Sequence, residues 1–157
     1  MNRTQLKKLI LETISDALLE FDEIPDSVDF TGEWIDPDQK HIEDQVRLAA
    51  CLFDTTYEEL VQKINSSKSV ELTDKVWAKL DNTLSYNVNK VEKAKEIADE
   101  YGYHYNDAMF GYVNNREMSR PIIVYKKGQA PFVISGEPEL LFASAFKVKP
   151  QVIMVLL

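Results

Sequence analysis

The sequence predicts an α+β fold in which helices come first and a small β–β–α–β unit comes last. Through much of residues 4–101, apolar residues recur about every 3.6 positions, which is typical of amphipathic helices. In residues 121–157, two short apolar runs flank a Lys-Lys-Gly-Gln turn, and a helical pattern and a final apolar run follow. Helices segregated from a hairpin-containing sheet define the α+β class.

Residues 1–70 predict an acidic helical segment. Helices are expected at about 4–20, 37–53 and 57–64. Thr4 can cap the first, Pro37 suits the first turn of the second because it lacks an amide proton, and Thr56 with Glu59 forms a capping box for the third.

Residues 71–157 predict a second domain. Thr73 can cap a short helix, a longer helix is expected at 87–101, and residues 106–113 are a candidate for one or two further turns. Strands at 121–125 and 132–135, a helix at 137–146 and a strand at 151–157 complete it. The chain is therefore divided at 70/71.

Charge is unevenly distributed along the chain. The net charge of the 157 residues is −8, and the excess of acids lies within residues 1–70. An acidic protein is repelled by a nucleic-acid backbone, so general affinity for nucleic acid is not expected. No apolar run approaches the roughly 20 residues that span a bilayer, and no signal peptide is recognised. With Cys51 as its one cysteine, the chain is expected to be soluble and cytoplasmic.

Residues 20–38 contain eight acids and no base. One interpretation is a solvated loop pinned by Phe30 and Trp34. The other is a surface that binds a basic protein or imitates a nucleic-acid backbone, because aromatic anchors within a polar rim are typical of interfaces. The candidate partner-binding residues are Asp22, Glu23, Asp26, Asp29, Glu33 and Trp34.

Residues 121–155 read PIIVYKKGQAPFVISGEPELLFASAFKVKPQVIMV. This stretch resembles the ParB/sulfiredoxin-like superfamily. It is most similar to a phage-encoded branch in which the hairpin ends in Gly-Asn-Thr-Arg-Leu and a Pro-Lys-Val-Ile strand follows the helix. The stretches WAKLDNTLSY (77–86) and AKEIADEYG (94–102) are also similar to that branch, more weakly. The resemblance covers about residues 71–157.

In that superfamily a Gly-x-x-Arg turn after the second strand grips the phosphates of a nucleotide. The corresponding residues here are Gly136, Glu137, Pro138 and Glu139, so a glutamate stands where the resemblance implies an arginine. An arginine–phosphate contact contributes roughly 1–3 kcal/mol, and a carboxylate replaces that attraction with repulsion. The turn therefore predicts a domain that has kept the fold and lost the anion.

The predicted function is that of a small acidic accessory protein, encoded by a phage, which binds a protein partner such as a host enzyme or defence factor. No catalytic activity, cofactor or metal is expected. One alternative is a nucleotide-dependent nuclease or phosphotransferase that uses Ser135, Gly136 and a displaced base. Another is a structural component of the virion. The bases that could replace the arginine are Arg120, Lys126, Lys127, Lys147 and Lys149.

Two further groups are weaker candidates. His41 and His104 each have acids nearby in the sequence, but a surface or packing role is favoured over catalysis or metal binding. Tyr101, Tyr103, Tyr105 and Tyr112 could stack nucleic-acid bases, yet no basic groove accompanies them, so packing is the favoured role.

Overall fold

The computed structural model describes residues 2–6 and 25–157 and has an α+β architecture. Residues 3–6 are helical, and the rest of the helix predicted at 4–20 lies outside the described residues. The strands are β1 (Trp34–Ile35), β2 (Ser69–Glu71), β3 (Met118–Ser119), β4 (Ile122–Tyr125), β5 (Phe132–Ser135) and β6 (Gln151–Leu156). The helices are α1 (Gln39–Leu52), α2 (Tyr57–Ser66), α3 (Asp74–Ala78), α4 (Val91–Glu100), α5 (Asn106–Val113) and α6 (Glu137–Phe146).

Four strands form a mixed sheet in the order β2-β6-β4-β5. β4 and β5 are the antiparallel hairpin that the sequence predicts, and β6 lies parallel to β4 on the hairpin's other side. The chain returns from β5 to β6 through α6. The predicted β–β–α–β order is therefore confirmed, whereas its assignment to the ParB/sulfiredoxin-like superfamily stays a prediction.

Both faces of this sheet are buried. Successive residues of a strand point to opposite faces, so Ile122 and Val124 enter one core and Ile123 enters the other. Helices α1 and α2 cover the first face, and α5 and α6 belong to the core on the second. Both predicted segments, 1–70 and 71–157, thus contribute to layers around a single sheet.

Three helix starts follow local capping chemistry. The amides of Glu59 and Val76 donate to the hydroxyls of Thr56 and Thr73 at 3.1 and 3.3 Å, as the sequence predicts. Helix α1 begins at Gln39 instead of Pro37, because the Asp38 side chain is its cap.

Helix α4 begins at Val91, four residues later than predicted. The reason lies in α6, where the Ser144 hydroxyl donates to the Val88 carbonyl at 2.6 Å. The Val88 amide in turn donates to Ser85 at 3.3 Å. These contacts hold residues 85–88 as a turn against α6.

Strands β1, β2 and β3 are not anticipated from the sequence, because strands of two or three residues carry no usable periodicity. β1 pairs in parallel with β3, with Trp34 opposite Met118. Phe30 and Trp34 pack edge-to-face on the buried Tyr112 ring, at centroid distances of 5.2 and 6.0 Å. The described part of the acidic stretch is therefore anchored by its aromatic residues, and a short strand replaces part of the expected loop.

Candidate functional site

The turn after β5 depends on Gly136, which is the N-cap of α6 with φ +97°. Residues with a Cβ rarely adopt this conformation. A Cβ atom there would also lie 2.6 Å from the Pro121 Cα atom. Backbone geometry and packing therefore explain this glycine without any phosphate.

The two glutamates of the turn are engaged by the protein's own donors. The Thr83 hydroxyl lies 2.7 and 2.6 Å from the two carboxylate oxygens of Glu137, and the Leu84 amide donates to the same carboxylate at 3.3 Å. The Glu139 carboxylate accepts a hydrogen bond from its own backbone amide. Pro138 has no amide proton, so the first turn of α6 offers an incoming anion few donors.

Loop 81–84 is held beside this turn by the sheet edge. The Asn82 side chain accepts from the Val133 amide at 2.7 Å and donates to the Val133 carbonyl at 2.9 Å. The Asp81 amide donates to the Pro131 carbonyl at 3.0 Å. The loop thus forms hydrogen bonds with backbone groups on the outer edge of β5, as a neighbouring strand would. These bonds place Thr83 beside Glu137.

A buried hydrogen-bond chain runs from α3 to Glu137. The Trp77 indole donates to the Ser85 hydroxyl at 2.8 Å, and the hydroxyls of Ser85 and Thr83 lie 2.6 Å apart. When Glu137 is ionised, the single hydroxyl proton of Thr83 goes to its carboxylate, and Ser85 then donates to Thr83. Ser85 is fully buried, and this chain satisfies its hydroxyl.

Burial changes the acidity of both glutamates. It raises the pKa of Glu137 to about 7, against the opposing effect of the bonds from Thr83 and Leu84. Burial, with a smaller contribution from Asp107, also raises the pKa of Glu139. At neutral pH a large fraction of Glu137 is therefore protonated. The repulsion expected from two full charges is accordingly weakened at neutral pH.

A cavity of about 220 Å³ opens beside Glu137, between loop 81–84, the end of α4 and the start of α6. Tyr101 and Tyr103 line it, and their rings are stacked with centroids 5.9 Å apart. Burial, followed by the nearby Glu137 and Tyr101, raises the pKa of Tyr103. Sequence reasoning missed this cavity, because its residues lie far apart in the chain and the sequence gives no signal that they meet. The remaining lining residues are Asp81, Asn82, Thr83, Leu84 and Ile97.

The bases considered as substitutes for the arginine have other positions or partners. Lys147 ends α6, about 15 Å from Gly136 along a helix of ten residues. Lys126 donates to the Phe53 carbonyl at 3.2 Å, and Lys127 follows it in the hairpin turn at the opposite end of the strands from Ser135. Lys149 lies 3.8 Å from a carboxylate oxygen of Glu71.

Arg120 directly precedes Pro121, the residue against which Gly136 packs. Its Nη1 atom forms an ion pair with Asp36 at 2.6 Å. Its Nε atom is buried without a hydrogen-bond partner. The pairing with Asp36 ties this guanidinium to the acidic stretch.

The candidate partner-binding acids are dispersed along the surface. Asp26, Asp29 and Glu33 are exposed. Trp34 is partly buried in the protein's own aromatic cluster, so its contribution to an interface would be limited to its exposed edge. Asp22 and Glu23 lie outside the described residues.

His41 and His104 are both exposed. Within residues 2–6 and 25–157, no group of three or more His, Cys, Asp or Glu side chains is arranged to hold a metal ion. In the same part of the chain, none of the helices has the length and apolar character needed to cross a membrane.

The fold and site define a small α+β protein whose last helix starts after a left-handed glycine and carries two largely buried glutamates in its first turn. No protein-family model, curated protein or solved structure matches the chain.

Proposed function

We propose that this chain is a small accessory protein, encoded by a phage, that binds a protein partner and does not use the turn after β5 to hold a nucleotide. One observation supports the proposal that the turn after β5 does not hold a nucleotide. The Glu137 carboxylate accepts from the Thr83 hydroxyl and the Leu84 amide, so a largely buried acid of the protein, and not a base, lies at the start of α6. This arrangement supports a binding role over a nucleotide-dependent reaction.

The exposed acids support a basic partner. Asp26, Asp29 and Glu33 project from a segment that Phe30 and Trp34 anchor to the core. An anchored segment loses less entropy on binding than a flexible one, and exposed carboxylates accelerate encounter with a positively charged surface. A host enzyme or defence factor with a basic surface is the kind of partner that fits.

Nucleotide binding is tested by thermal unfolding with ATP, CTP or GTP and magnesium. We expect no stabilisation at millimolar nucleotide. Stabilisation of about 1–2 kcal/mol would favour the nuclease or phosphotransferase alternative. Its loss in Ser135→Ala would locate that binding at the turn, whereas Gly136 is unsuitable for substitution because its backbone conformation requires glycine.

Partner binding is tested by affinity capture from a bacterial host lysate. We expect a captured protein to be lost from the triple variant Asp26→Asn, Asp29→Asn, Glu33→Gln. The matched control removes three exposed acids elsewhere, in Asp44→Asn, Glu92→Gln, Glu117→Gln. Equal capture by both triple variants would contradict the acidic interface, because both remove the same charge. Copurification with virions would favour the structural alternative.

A further inference from the structure

We infer that the cavity beside Glu137 is a binding pocket for an organic cation that carries N–H donors, namely a primary ammonium or guanidinium group on an aliphatic stem. The lining residues that the structure describes all lie between positions 81 and 137, outside the acidic stretch at 20–38. The pocket and the proposed partner interface therefore involve different residues and can be tested independently.

The charge of the lining selects the class of ligand. Two carboxylates, Asp81 and Glu137, line the cavity, and the described residues around it include no Lys, Arg or His. An anionic ligand would meet like charge without a compensating base. A cationic ligand would meet two acceptors.

The hydrogen-bonding state of Glu137 points the same way. A bound cation favours the ionised form of Glu137, and an ionised carboxylate is an acceptor with about four lone-pair sites. Thr83 and Leu84 supply one donor each, and the Thr83 hydroxyl is shared between the two oxygens. Because the carboxylate keeps accepting capacity, a ligand that brings N–H donors suits it, whereas a ligand made only of acceptors does not.

The aromatic wall fits the same ligand. The Tyr101 and Tyr103 rings are nearly parallel, at 18° to each other, and tyrosine faces attract ammonium and guanidinium groups. Tyr101 is 54% exposed and forms the rim, whereas Tyr103 is partly buried. Leu84 and Ile97 add apolar surface for the aliphatic stem of the ligand.

The test titrates the full chain with n-butylammonium, n-butylguanidinium and the neutral n-butanol, monitored by ¹H–¹⁵N NMR. We expect saturable shifts of the Thr83 and Leu84 amide signals with the two cations and none with n-butanol. Equal shifts with n-butanol would overturn the inference, since they would indicate an apolar crevice. The absence of saturable shifts with either cation would also overturn it.

Two variants assign the binding to the pocket. Glu137→Gln keeps the size and shape of the side chain but replaces one carboxylate oxygen with an amide NH2 group and removes the charge, and we expect it to weaken cation binding by about tenfold or more. Glu117→Gln, at an exposed carboxylate outside the lining, should leave the affinity unchanged. Equal affinity of wild type and Glu137→Gln would refute the assignment.

Tyr101→Ala supplies an independent test, because this exposed ring can be removed without opening the core. We expect a several-fold loss of affinity, and an unchanged affinity would count against the aromatic wall. A final arm replaces n-butylammonium with Nα-acetyl-lysine methylamide. If Nα-acetyl-lysine methylamide binds as tightly as n-butylammonium, the side chain of a polypeptide is a source of the cation. If only n-butylammonium binds, the cation comes from a small molecule. Either result supports the pocket.

Discussion

The acids at the start of α6 and the acids of residues 26–33 have the same chemistry and opposite surroundings. Glu137 and Glu139 are largely buried, have raised pKa values and accept hydrogen bonds from the protein itself. Asp26, Asp29 and Glu33 are exposed on a segment whose aromatic residues face inward. The first group is part of the folded structure, whereas the second is available to a partner.

This difference separates two consequences of negative charge. A buried carboxylate acts through its hydrogen bonds and through the cost of its ionisation, which the protein can reduce by taking up a proton. An exposed carboxylate stays solvated and acts through its field on approaching molecules. Substitutions should therefore change stability in the first region and association in the second.

The largest effect is expected at Gly136. Replacing it with alanine combines a strained positive φ with a contact of 2.6 Å to the Pro121 backbone, and we expect a loss of about 3 kcal/mol in the free energy of unfolding. Gly128→Ala is the matched control, because Gly128 has φ +86° but open space around its Cα atom. Denaturant unfolding should show a loss of only about 1 kcal/mol for that variant. Equal losses would mean that Pro121 moves aside.

The next effect is a dependence of stability on pH that originates at Glu137. Its pKa is about 7 in the folded protein, compared with the ordinary glutamate value of 4.5 expected for the unfolded chain, so the folded protein holds the proton more tightly. The contribution of this group to stability is complete below pH 4.5, falls as the pH rises towards 7, and is lost above that value. The loss is on the order of 2 kcal/mol after allowance for partial exposure.

Glu137→Gln should remove this part of the pH dependence, since the amide does not titrate. Urea unfolding at about pH 5 and about pH 8, on either side of the folded-state pKa, measures it. Glu117→Gln should keep the wild-type difference between the two pH values. The same slope in wild type and Glu137→Gln would show that the carboxyl group is not responsible.

A smaller effect is expected from Thr83→Val, which removes the hydroxyl between Glu137 and Ser85. The variant leaves a buried hydroxyl and a largely buried carboxylate without their shared partner, so we expect a loss of about 1–2 kcal/mol. Thr31→Val, at an exposed position, should change stability by less than about 0.5 kcal/mol. Trp77 fluorescence provides a second measurement, because the Trp77 indole is bonded to Ser85.

The smallest change in stability is expected from the triple variant Asp26→Asn, Asp29→Asn, Glu33→Gln. These side chains are exposed, so the free energy of unfolding should change by less than about 0.5 kcal/mol. A calorimetric comparison with wild type measures it. A loss of several kcal/mol would place these acids in the first group and would remove the distinction between the two regions.

Much of the fold could be predicted because its signals are local. Thr56 and Thr73 cap the helices that follow them, and the apolar runs on either side of the Lys-Lys-Gly-Gln turn predict the hairpin. The short strands β1, β2 and β3 could not be predicted, because their pairing partners come from distant parts of the chain. The prediction for the turn identified Gly136, Glu137, Pro138 and Glu139 but not their surroundings.

By itself, the sequence determined the α+β order, the helix starts capped by Thr56 and Thr73, and the presence of two carboxylates after Gly136. Only the tertiary structure decided how deeply those carboxylates are buried and which donors bind them. Thr83 and Glu137 are separated by 54 positions and meet because Asn82 pairs with the edge of β5. Burial and partner donors arise from such long-range contacts, and these set the acidity of Glu137 and shape the cavity beside it.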